Sequence, residues 1–466
     1  MAGTYLEGTS KILSGVYTII QAALTRVSMG ARGIVAYPFT SDWGPVNSLE
    51  TITTPGEFKA QYNGGAAGLT ADKIYEHAFK GKPQRVLAYR MATASAAAGG
   101  TVLEDDLATP SLTLETLYPS DRAFTAVVKP GVVSGKLVEI LEGTVKLVSA
   151  EGATVDALVA LLNVSDYVRV TDQGLVLPAD SAGVQFAGGS NGSTATATEY
   201  AAFLDELEAD GTAAAFSLDG VSDDVVLTPA REWVKRVRQE GTYITFVQGG
   251  PIGWDSDTPA ANTVSLGINH RGIINVGNGV DGYTAAELAI FVAARVASVA
   301  LNMTLTDEVT PYVAVNKKLK PGVRIVAKES GTVVLVQDGN AVLIDEAINT
   351  LTTPPAGEVA EFRKIRINNA LDYIAKDLEK FGDAYKRTRS NTQEARETYA
   401  ATVENSYLKP LVGLEVLQPG YFYRPDPEYH GKDAVYTPKI DEAFFYGDIT
   451  PVDSMERIYQ KLGVNF

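Results

Sequence analysis

The sequence contains no cysteine and only three histidines among its 466 residues. Without cysteine the chain can form neither a disulfide nor a thiolate metal site, and three scattered histidines match no known zinc-site spacing. Asp255-Ser256-Asp257 lacks the glycine and the terminal glutamate of a calcium loop. We therefore expect no bound metal.

Long apolar runs are also missing. Residues 285–301 are the most apolar stretch, but Glu287 and Arg295 interrupt it, and it is shorter than a membrane span. This composition predicts a buried core helix. The first fifteen residues show neither the basic segment nor the apolar segment of a secretion signal. We expect a chain that neither inserts into a membrane nor carries such a signal.

Charge is distributed unevenly along the chain, whose net charge is −16. Residues 92–225 carry 20 acidic and 5 basic side chains, whereas residues 361–410 carry 10 basic and 8 acidic ones. An acidic chain is a poor candidate for binding nucleic acid. The acidic region is either an ordinary solvated surface or the outward side of an assembly whose basic part meets an acidic partner.

The pattern of apolar residues predicts an α/β protein. Residues 15–20 form a first strand candidate without a core of its own, and further strands are expected at 34–37 and 85–90. Between these two strands a helix should begin at Pro55, capped by Thr54. From residue 198 onward helices alternate with short apolar strands, including a helix that should start at Thr228-Pro229, which indicates a largely parallel sheet.

Two further regions differ from this core. Residues 92–100, rich in Ala, Ser and Gly, read as a linker into a β-rich insertion with strands at 124–128 and 136–140 and a helix at 155–162. After Pro354-Pro355 the chain turns helical. Its expected elements are a helix with an apolar stripe ending at Gly382, a second helix from about Ser390, a strand at 444–449 and a last helix capped by Thr450.

Residues 277–282 match the pattern G-x-G-x-x-G between a predicted strand and a predicted helix. A dinucleotide site needs the third glycine inside the helix, so that the helix N-terminus meets the pyrophosphate. Here Gly282 precedes Thr284, which is the natural N-cap, so the helix starts too late. This spacing favours an ordinary glycine loop and no cofactor.

Residues 188–192 match G-x-S-x-G, the pattern of a nucleophile elbow around Ser190. In that motif a helix begins directly after the serine, but residues 193–197 intervene here as a flexible stretch. A triad also needs a histidine, and the sequence ties none of His77, His270 and His430 to Ser190. We therefore expect no catalytic residues.

Several segments in chain order resemble motifs of the contractile tail sheath protein family. They include an N-terminal arm, a first structured block, a glycine turn with its following helix, a junction into a C-terminal domain, and a terminal motif. The segments are Gly15-Val16-Tyr17, the loop at residues 43–47, residues 186–192 with Tyr200 and Leu207-Glu208, residues 348–353, residues 367–377 and residues 450–459.

The resemblance implies a subtilisin-like parallel α/β core without a working triad, an inserted β-sandwich domain, an α+β C-terminal domain and extended terminal arms. We place these parts along the chain as an N-terminal arm at 1–26, the first part of the core at 27–91, the inserted β-rich outer domain at 92–185, the main α/β domain at 186–346, the C-terminal domain at 347–440 and a C-terminal strand and helix at 441–466.

The resemblance also implies a structural function. Subunits of this family form six-fold rings that stack into a helical sleeve around an inner tube, between baseplate and terminator proteins, in a phage tail or phage-tail-like particle assembled in the bacterial cytoplasm. Strand-like arms join neighbouring subunits by β-augmentation, and residues 16–20 and 444–449 suit this role because both are strand-like pieces without a core of their own. The inter-subunit strand candidates are Val16, Tyr17, Thr18, Ile19, Ile20, Phe444, Phe445, Tyr446 and Ile449, and the tube-contact candidates are Lys386, Arg387, Arg389 and Arg396.

Two other classes remain open at this stage. One is an α/β enzyme of the subtilisin-like or dinucleotide-binding type. The other is a β-rich surface or adhesin module, which the long α/β core disfavours.

Overall fold

A computed structural model describes residues 2–3, 16–17, 32–62, 68–387 and 390–460. By its internal contacts the chain divides into two compact units. The main unit comprises residues 31–372 and 454–466, and the second unit comprises residues 1–30 and 373–453.

The described N-terminal residues form two short strands, β1 (Ala2–Gly3) and β2 (Val16–Tyr17), which pair in parallel. The strand predicted at residues 15–20 is therefore present at Val16 and Tyr17. Thr18, Ile19 and Ile20 lie outside the described residues.

The α/β core begins with strands and helices close to their predicted places. These are β3 (Ile34–Phe39), β4 (Leu49–Ile52), α1 (Pro55–Gln61), α2 (Ala71–His77) and β5 (Arg85–Arg90). The predicted cap of α1 is confirmed, because the Thr54 hydroxyl accepts a hydrogen bond from the Glu57 amide at 3.1 Å.

The insertion consists of two antiparallel sheets and one helix. Its elements are β6 (Gly100–Glu104), β7 (Pro110–Thr116), β8 (Phe124–Pro130), β9 (Lys136–Glu142), β10 (Val145–Gly152), α3 (Val155–Leu162), β11 (Val168–Gln173) and β12 (Ser181–Gln185). The sheets run β10-β9-β8-β12 and β11-β7-β6. Side chains of both sheets and of α3 form a single apolar cluster, as alternating strands with one buried face require. The strands predicted at 124–128 and 136–140 and the helix predicted at 155–162 are confirmed.

Arg90 connects the insertion to the core. Its guanidinium is fully buried at the end of β5 and donates to the carbonyl oxygens of Ser41 (2.9 Å), Gly44 (2.7 Å) and Pro119 (2.8 Å). Burial lowers the pKa of Arg90 to about 10, which leaves it charged at neutral pH. One side chain thus fixes the loop after β3 and the segment between β7 and β8.

The remainder of the core continues the α/β alternation. Its elements are α4 (Ala197–Asp210), β13 (Ala215–Ser217), α5 (Asp224–Gln239), β14 (Thr245–Gly249), α6 (Thr258–Ile268), β15 (Ile273–Val276), α7 (Ala285–Ser298), α8 (Pro321–Glu329), β16 (Thr332–Val333), β17 (Leu335–Asp338) and β18 (Ala341–Ile344).

Seven strands of the core form one sheet in the order β16-β15-β14-β13-β3-β5-β4, and every neighbouring pair except β4–β5 is parallel. Side chains of β3 alternate between two apolar clusters. Val35 and Tyr37 lie in the cluster that contains α7, and Ile34 and Ala36 lie in the cluster that contains α4 and α5. Both faces of the sheet are therefore covered by helices, as expected for parallel strands.

Helix α5 starts earlier than predicted. Its N-cap is Asp223, whose carboxylate accepts the Val225 amide at 2.9 Å, and Pro229 lies inside the helix. The expectation that Pro229 marks the first turn is wrong, because the aspartate cap and the burial of Val226 and Leu227 stabilise an additional turn.

The second unit begins within a long helix, α9 (Ile365–Lys386), whose residues up to Asp372 belong to the main unit. It continues with α10 (Gln393–Val403), α11 (Lys409–Gly413), β19 (Phe422–Pro425), α12 (Pro427–His430) and β20 (Phe445–Asp448). Helix α9 does not end at Gly382 as predicted. Tyr385 continues its apolar stripe by packing edge-on against Tyr399 at 4.8 Å between ring centroids.

The helix predicted after Thr450 is absent from the part of it that the structure describes, residues 450–460. The Val452 amide instead donates to the Val416 carbonyl (2.9 Å), and the Thr450 carbonyl accepts from the Gln418 amide (2.8 Å). Long-range strand-like bonds thus replace the helical ones, although the N-cap and proline signals are both present.

Candidate assembly surfaces

Strand β20 forms a two-stranded antiparallel ribbon with β19, in which Tyr446 lies opposite Arg424 and Phe445 opposite Pro425. Phe445 stacks on Tyr423, with 5.6 Å between ring centroids and 9° between planes. It also contacts Tyr399 at 4.7 Å. The expectation that residues 444–449 have no core of their own is therefore wrong, since α10 and β19 supply an aromatic one.

The ribbon leaves one strand edge available. Within the described residues, β19 and β20 pair only with each other. The outer edge of β19 offers no free amide, because the Tyr423 amide donates to the Glu404 carboxylate at 2.7 Å and Pro425 has no amide hydrogen, so the open edge is that of β20. Unpaired edges are templates for the addition of another strand. Tyr446 is exposed, Ile449 is half-buried, and Phe444 stacks on Tyr429 at 3.8 Å. The candidates at residues 444–449 thus lie on or beside a ribbon that can accept a strand.

The predicted basic cluster lies at the turn between α9 and α10. Lys386 pairs with Asp383, Arg387 is exposed, and Arg396 donates to the Asn391 side chain at 2.7 Å. Arg389 lies outside the described residues. A groove of about 420 Å³ brings Lys386 and Arg396 together with aromatic side chains of the ribbon and of both helices, and its walls include Tyr385, Tyr399 and Phe445.

The glycine loop at residues 277–282 is filled by the chain itself. The Asp255 carboxylate accepts the Gly279 amide at 2.7 Å and the Asn316 side-chain amide at 2.8 Å. Helix α7 begins only at Ala285, with Thr284 as the predicted N-cap, and Glu287 completes a capping box with it. A buried carboxylate therefore lies where a dinucleotide site would need donors for a pyrophosphate.

Ser190 likewise lacks the setting of a nucleophile elbow. It bridges to Ala97 through the backbone, its hydroxyl accepts the Gly192 amide at 3.0 Å, and the next helix begins only at Ala197. Each histidine is hydrogen-bonded elsewhere. Nδ1 of His77 meets the Tyr312 hydroxyl, Nδ1 of His270 accepts the Gly272 amide, and Nε2 of His430 accepts the Phe444 amide.

Two histidines of the main unit make its stability depend on pH. Burial is the main cause that lowers the pKa of His77 to about 4 and that of His270 to about 4, against about 6.5 in an unfolded chain. Between these values the unfolded state binds more protons. These two groups therefore leave the free energy of unfolding undiminished above about pH 6.5, lower it as the pH falls from 6.5 to 4, and cause no further loss below about pH 4.

We predict that the His77→Asn variant has a shallower acid transition than the parent chain. Between pH 7 and pH 4 its free energy of unfolding should fall by about 2–3 kcal/mol less, because one proton uptake of the unfolded state is removed. Denaturant unfolding at both pH values measures this difference. His430→Asn is the control, since burial lowers the pKa of His430 less strongly. Equal pH dependence of the His77→Asn variant and the parent would contradict the prediction.

Within the described ranges, no group of three or more potential ligands is arranged to hold a metal ion, and no helix has the length and hydropathy needed to cross a bilayer.

Sequence reasoning overlooked two features on the surface of the main unit. Several loop tips of the insertion expose aliphatic side chains next to carboxylates, and the segment 309–328 is entirely free of acidic residues. Both could have been found by scanning for aliphatic residues in acidic turns and for local charge reversal.

No family model matches the chain. Curated proteins, however, are similar to it in sequence. The chain is 24% identical over 511 aligned residues to the phage-like element PBSX protein XkdK of Bacillus subtilis, with 99% of both chains covered. It is 25% identical over 205 residues to the tail sheath protein of Clostridium phage phiCD119, with 42% of this chain and 52% of that protein covered.

Solved structures agree along nearly the entire chain. The sheath tail protein of Desulfitobacterium hafniense superposes with a TM-score of 0.68 at 21% identity, covering 94% of this chain and 100% of that one. The helical sheath of the anti-feeding prophage in its contracted state superposes with a TM-score of 0.58 at 11% identity, covering 98% and 100%. The chain thus has the fold of contractile sheath proteins, and the resemblance that the sequence motifs indicate is confirmed.

Proposed function

We propose that this chain is a structural subunit of a contractile sheath. Copies assemble into six-fold rings that stack as a helical sleeve around an inner tube, and contraction of the sleeve drives the tube through a bacterial envelope. The observation that carries this proposal is the similarity along the whole chain, with 94% of it superposing on a complete sheath tail protein. The particle is a phage tail or a phage-tail-like particle, assembled in the host cytoplasm and bounded by baseplate and terminator proteins.

Strand exchange between copies is the proposed means of assembly. The free edge of β20 accepts a strand from a neighbouring copy, and residues 16–20 are the proposed donor. Backbone hydrogen bonds would supply most of this contact, so it needs no particular side chain on the donor. The residues around Phe444, Phe445, Tyr446 and Ile449 form the accepting surface.

The α/β core serves as a scaffold of the subtilisin-like type and not as an enzyme. Two observations support this proposal. No helix begins directly after Ser190, since α4 starts only at Ala197, and the Asp255 carboxylate occupies the glycine loop. A direct check combines a thermal-shift assay with NAD and labelling by an active-serine probe. Stabilisation by NAD or covalent labelling would favour the enzyme alternative.

Electron microscopy of the purified chain tests the proposed function. Hollow helical tubes are expected. A monodisperse small oligomer that shows catalytic activity would contradict the sheath assignment.

The turn between α9 and α10 is the proposed contact with the inner tube, through Lys386, Arg387, Arg389 and Arg396. In the variant Lys386→Glu/Arg387→Glu we predict that sheath–tube co-assembly weakens by about 1 kcal/mol or more per subunit at low salt, because two exposed cations become anions. The loss should shrink as ionic strength rises.

Pelleting of the variant with tube protein at several salt concentrations measures this effect. The variant Lys82→Glu/Arg85→Glu is the matched control, because it changes the net charge equally at one exposed lysine and one exposed arginine that belong to the main unit. Co-assembly unchanged at every salt concentration would remove the tube-contact role.

A further inference from the structure

Three loops of the insertion meet at the same end of its sheets. The Ala179 amide donates to the Glu104 carbonyl at 2.8 Å, which joins the loop after β11 to the end of β6. Lys136 pairs with Asp180 at 2.7 Å, which joins the same loop to the start of β9. We call residues 104–109, 130–136 and 172–180 the acidic tip. It lies at the opposite end of the strands from Gly100 and Gln185, where the chain enters and leaves the insertion.

Each loop of the acidic tip carries a large aliphatic side chain that the fold leaves in solvent. Leu107 is 86% exposed, Val133 88% and Leu175 100%. The turn around Leu107 is held by Asp105, whose carboxylate accepts the amides of Leu107 and Thr109, so the leucine side chain contributes nothing to the turn. One exposed aliphatic residue is ordinary, but one on each of three adjoining loops is the kind of exposed apolar surface that occurs at interaction sites.

The charge surrounding these side chains is strongly negative. The acidic tip carries five carboxylates against a single lysine, Lys136. Lys136 is already paired with Asp180. Asp106 and Asp172 are exposed on the two loops that carry Leu107 and Leu175. A partner must therefore combine apolar contact with positive charge, and a second acidic tip would be repelled.

The main unit itself carries a surface of that description. Residues 309–328 contain five basic side chains and no acidic one, in a chain of net charge −16. Arg324 and Lys328 are paired with Asp345, and the Asp281 carboxylate accepts the Val313 amide, so the positive charge of this surface comes from the three remaining lysines. Lys317, Lys318 and Lys320 are exposed and form no ion pair with any described residue. The same segment also exposes apolar side chains, namely Val313 (74% exposed) and the α8 residues Ile325 (55%) and Val326 (51%). We call residues 313–326 the lysine patch.

We propose that the acidic tip of one copy docks on the lysine patch of a second copy. The two surfaces have opposite charge and each exposes aliphatic side chains, and every copy carries both. A contact between two different surfaces of identical chains is heterologous, and it repeats without closing on itself unless the rotation forms a ring. That property suits the proposed sheath, on which this inference rests, and it assigns the insertion a role in joining copies.

Cross-linking tests the contact directly, because a cysteine-free chain permits single engineered thiols. Leu175→Cys and Val313→Cys variants are prepared separately, mixed under assembly conditions and treated with a short bis-maleimide. A dimer containing one chain of each variant is expected. Leu175→Cys mixed with Val225→Cys, an exposed valine on α5, is the control and should give at least tenfold less dimer. Equal yields in the two mixtures would overturn the proposal.

Charge reversal separates this contact from the sheath function itself. Asp106→Lys/Asp172→Lys and Lys317→Glu/Lys318→Glu should each lower the yield of tubes at least tenfold while the circular dichroism spectrum stays unchanged. A chain carrying all four substitutions should recover tubes. If the parent forms tubes and the fourfold variant, though folded, does not, the docking proposal fails and the sheath function stands. If the parent itself forms no tubes, the sheath function fails, and the mixed dimer still decides the contact.

Discussion

A chain lacking residues 1–20 should remain a folded, soluble monomer and yet form no tubes. The apolar clusters of the described residues begin at Ile34, so this deletion removes none of their members. We expect the free energy of unfolding to change by less than about 1 kcal/mol, as for surface changes. Assembly should be abolished, because the strand that a neighbouring ribbon accepts is gone.

Electron microscopy and thermal unfolding of the truncated chain measure the two parts of this prediction. A single substitution tests whether backbone pairing of β2 is the cause of assembly. Val16→Pro removes a backbone donor within β2 and should also prevent assembly, whereas Val16→Thr keeps the donor and the strand propensity and should assemble normally. Normal sleeves from the truncated chain would show that the arm is not required.

Asp372→Asn should be the most destabilising single substitution of those considered. The Arg238 guanidinium binds the Asp372 carboxylate through two bonds of 2.8 and 2.7 Å, and both side chains are buried. Arg238 also donates to the Ile244 carbonyl at 3.0 Å. Removing the carboxylate charge leaves a buried cation without a counter-ion, which should cost about 3–5 kcal/mol.

Denaturant unfolding measures this loss. Glu358→Gln is the matched control, since it breaks the more exposed pair with Arg271 and should cost no more than about 1 kcal/mol. Replacing both partners, as Arg238→Met/Asp372→Leu, should recover most of the stability, because no unpaired charge remains. A cost below 1 kcal/mol for Asp372→Asn would show that the pair does not anchor the first turns of α9.

Local signals predicted those elements whose ends depend on neighbouring residues. Thr54 and Thr284 cap α1 and α7 as expected, because a capping hydroxyl and the amide that it accepts lie within one turn. The strands of the insertion were predicted equally well from their alternation of apolar and polar residues. Predictions failed where several local signals competed, as at α5, where Asp223 and not the turn before Pro229 starts the helix.

The candidate sites show the same division. The two glycine motifs could be rejected from the sequence, because the helix after each of them starts too late. Asp255, which fills the loop from a position 24 residues before Gly279, could not be found in this way. It marked residues 444–449 as a strand without finding Tyr399 and Tyr423, the aromatic side chains on which Phe445 packs. The pairing of Arg238 with Asp372, 134 residues apart, gave no signal in the sequence.

The amino-acid sequence is enough to predict the class of this protein and most of its elements: an α/β core with a β-rich insertion, no thiol chemistry, and the motifs of a sheath subunit. Periodicity, helix caps and composition depend on residues close together in the chain, so they can be recognised without the structure. Which distant groups bond to one another depends on the folded chain. Thr450 and Pro451 carry the local signals for a helix, yet the Thr450 carbonyl bonds to the Gln418 amide and the Val452 amide bonds to the Val416 carbonyl. Val416 is buried, so its carbonyl must be paired, and the fold brings the Val452 amide to it.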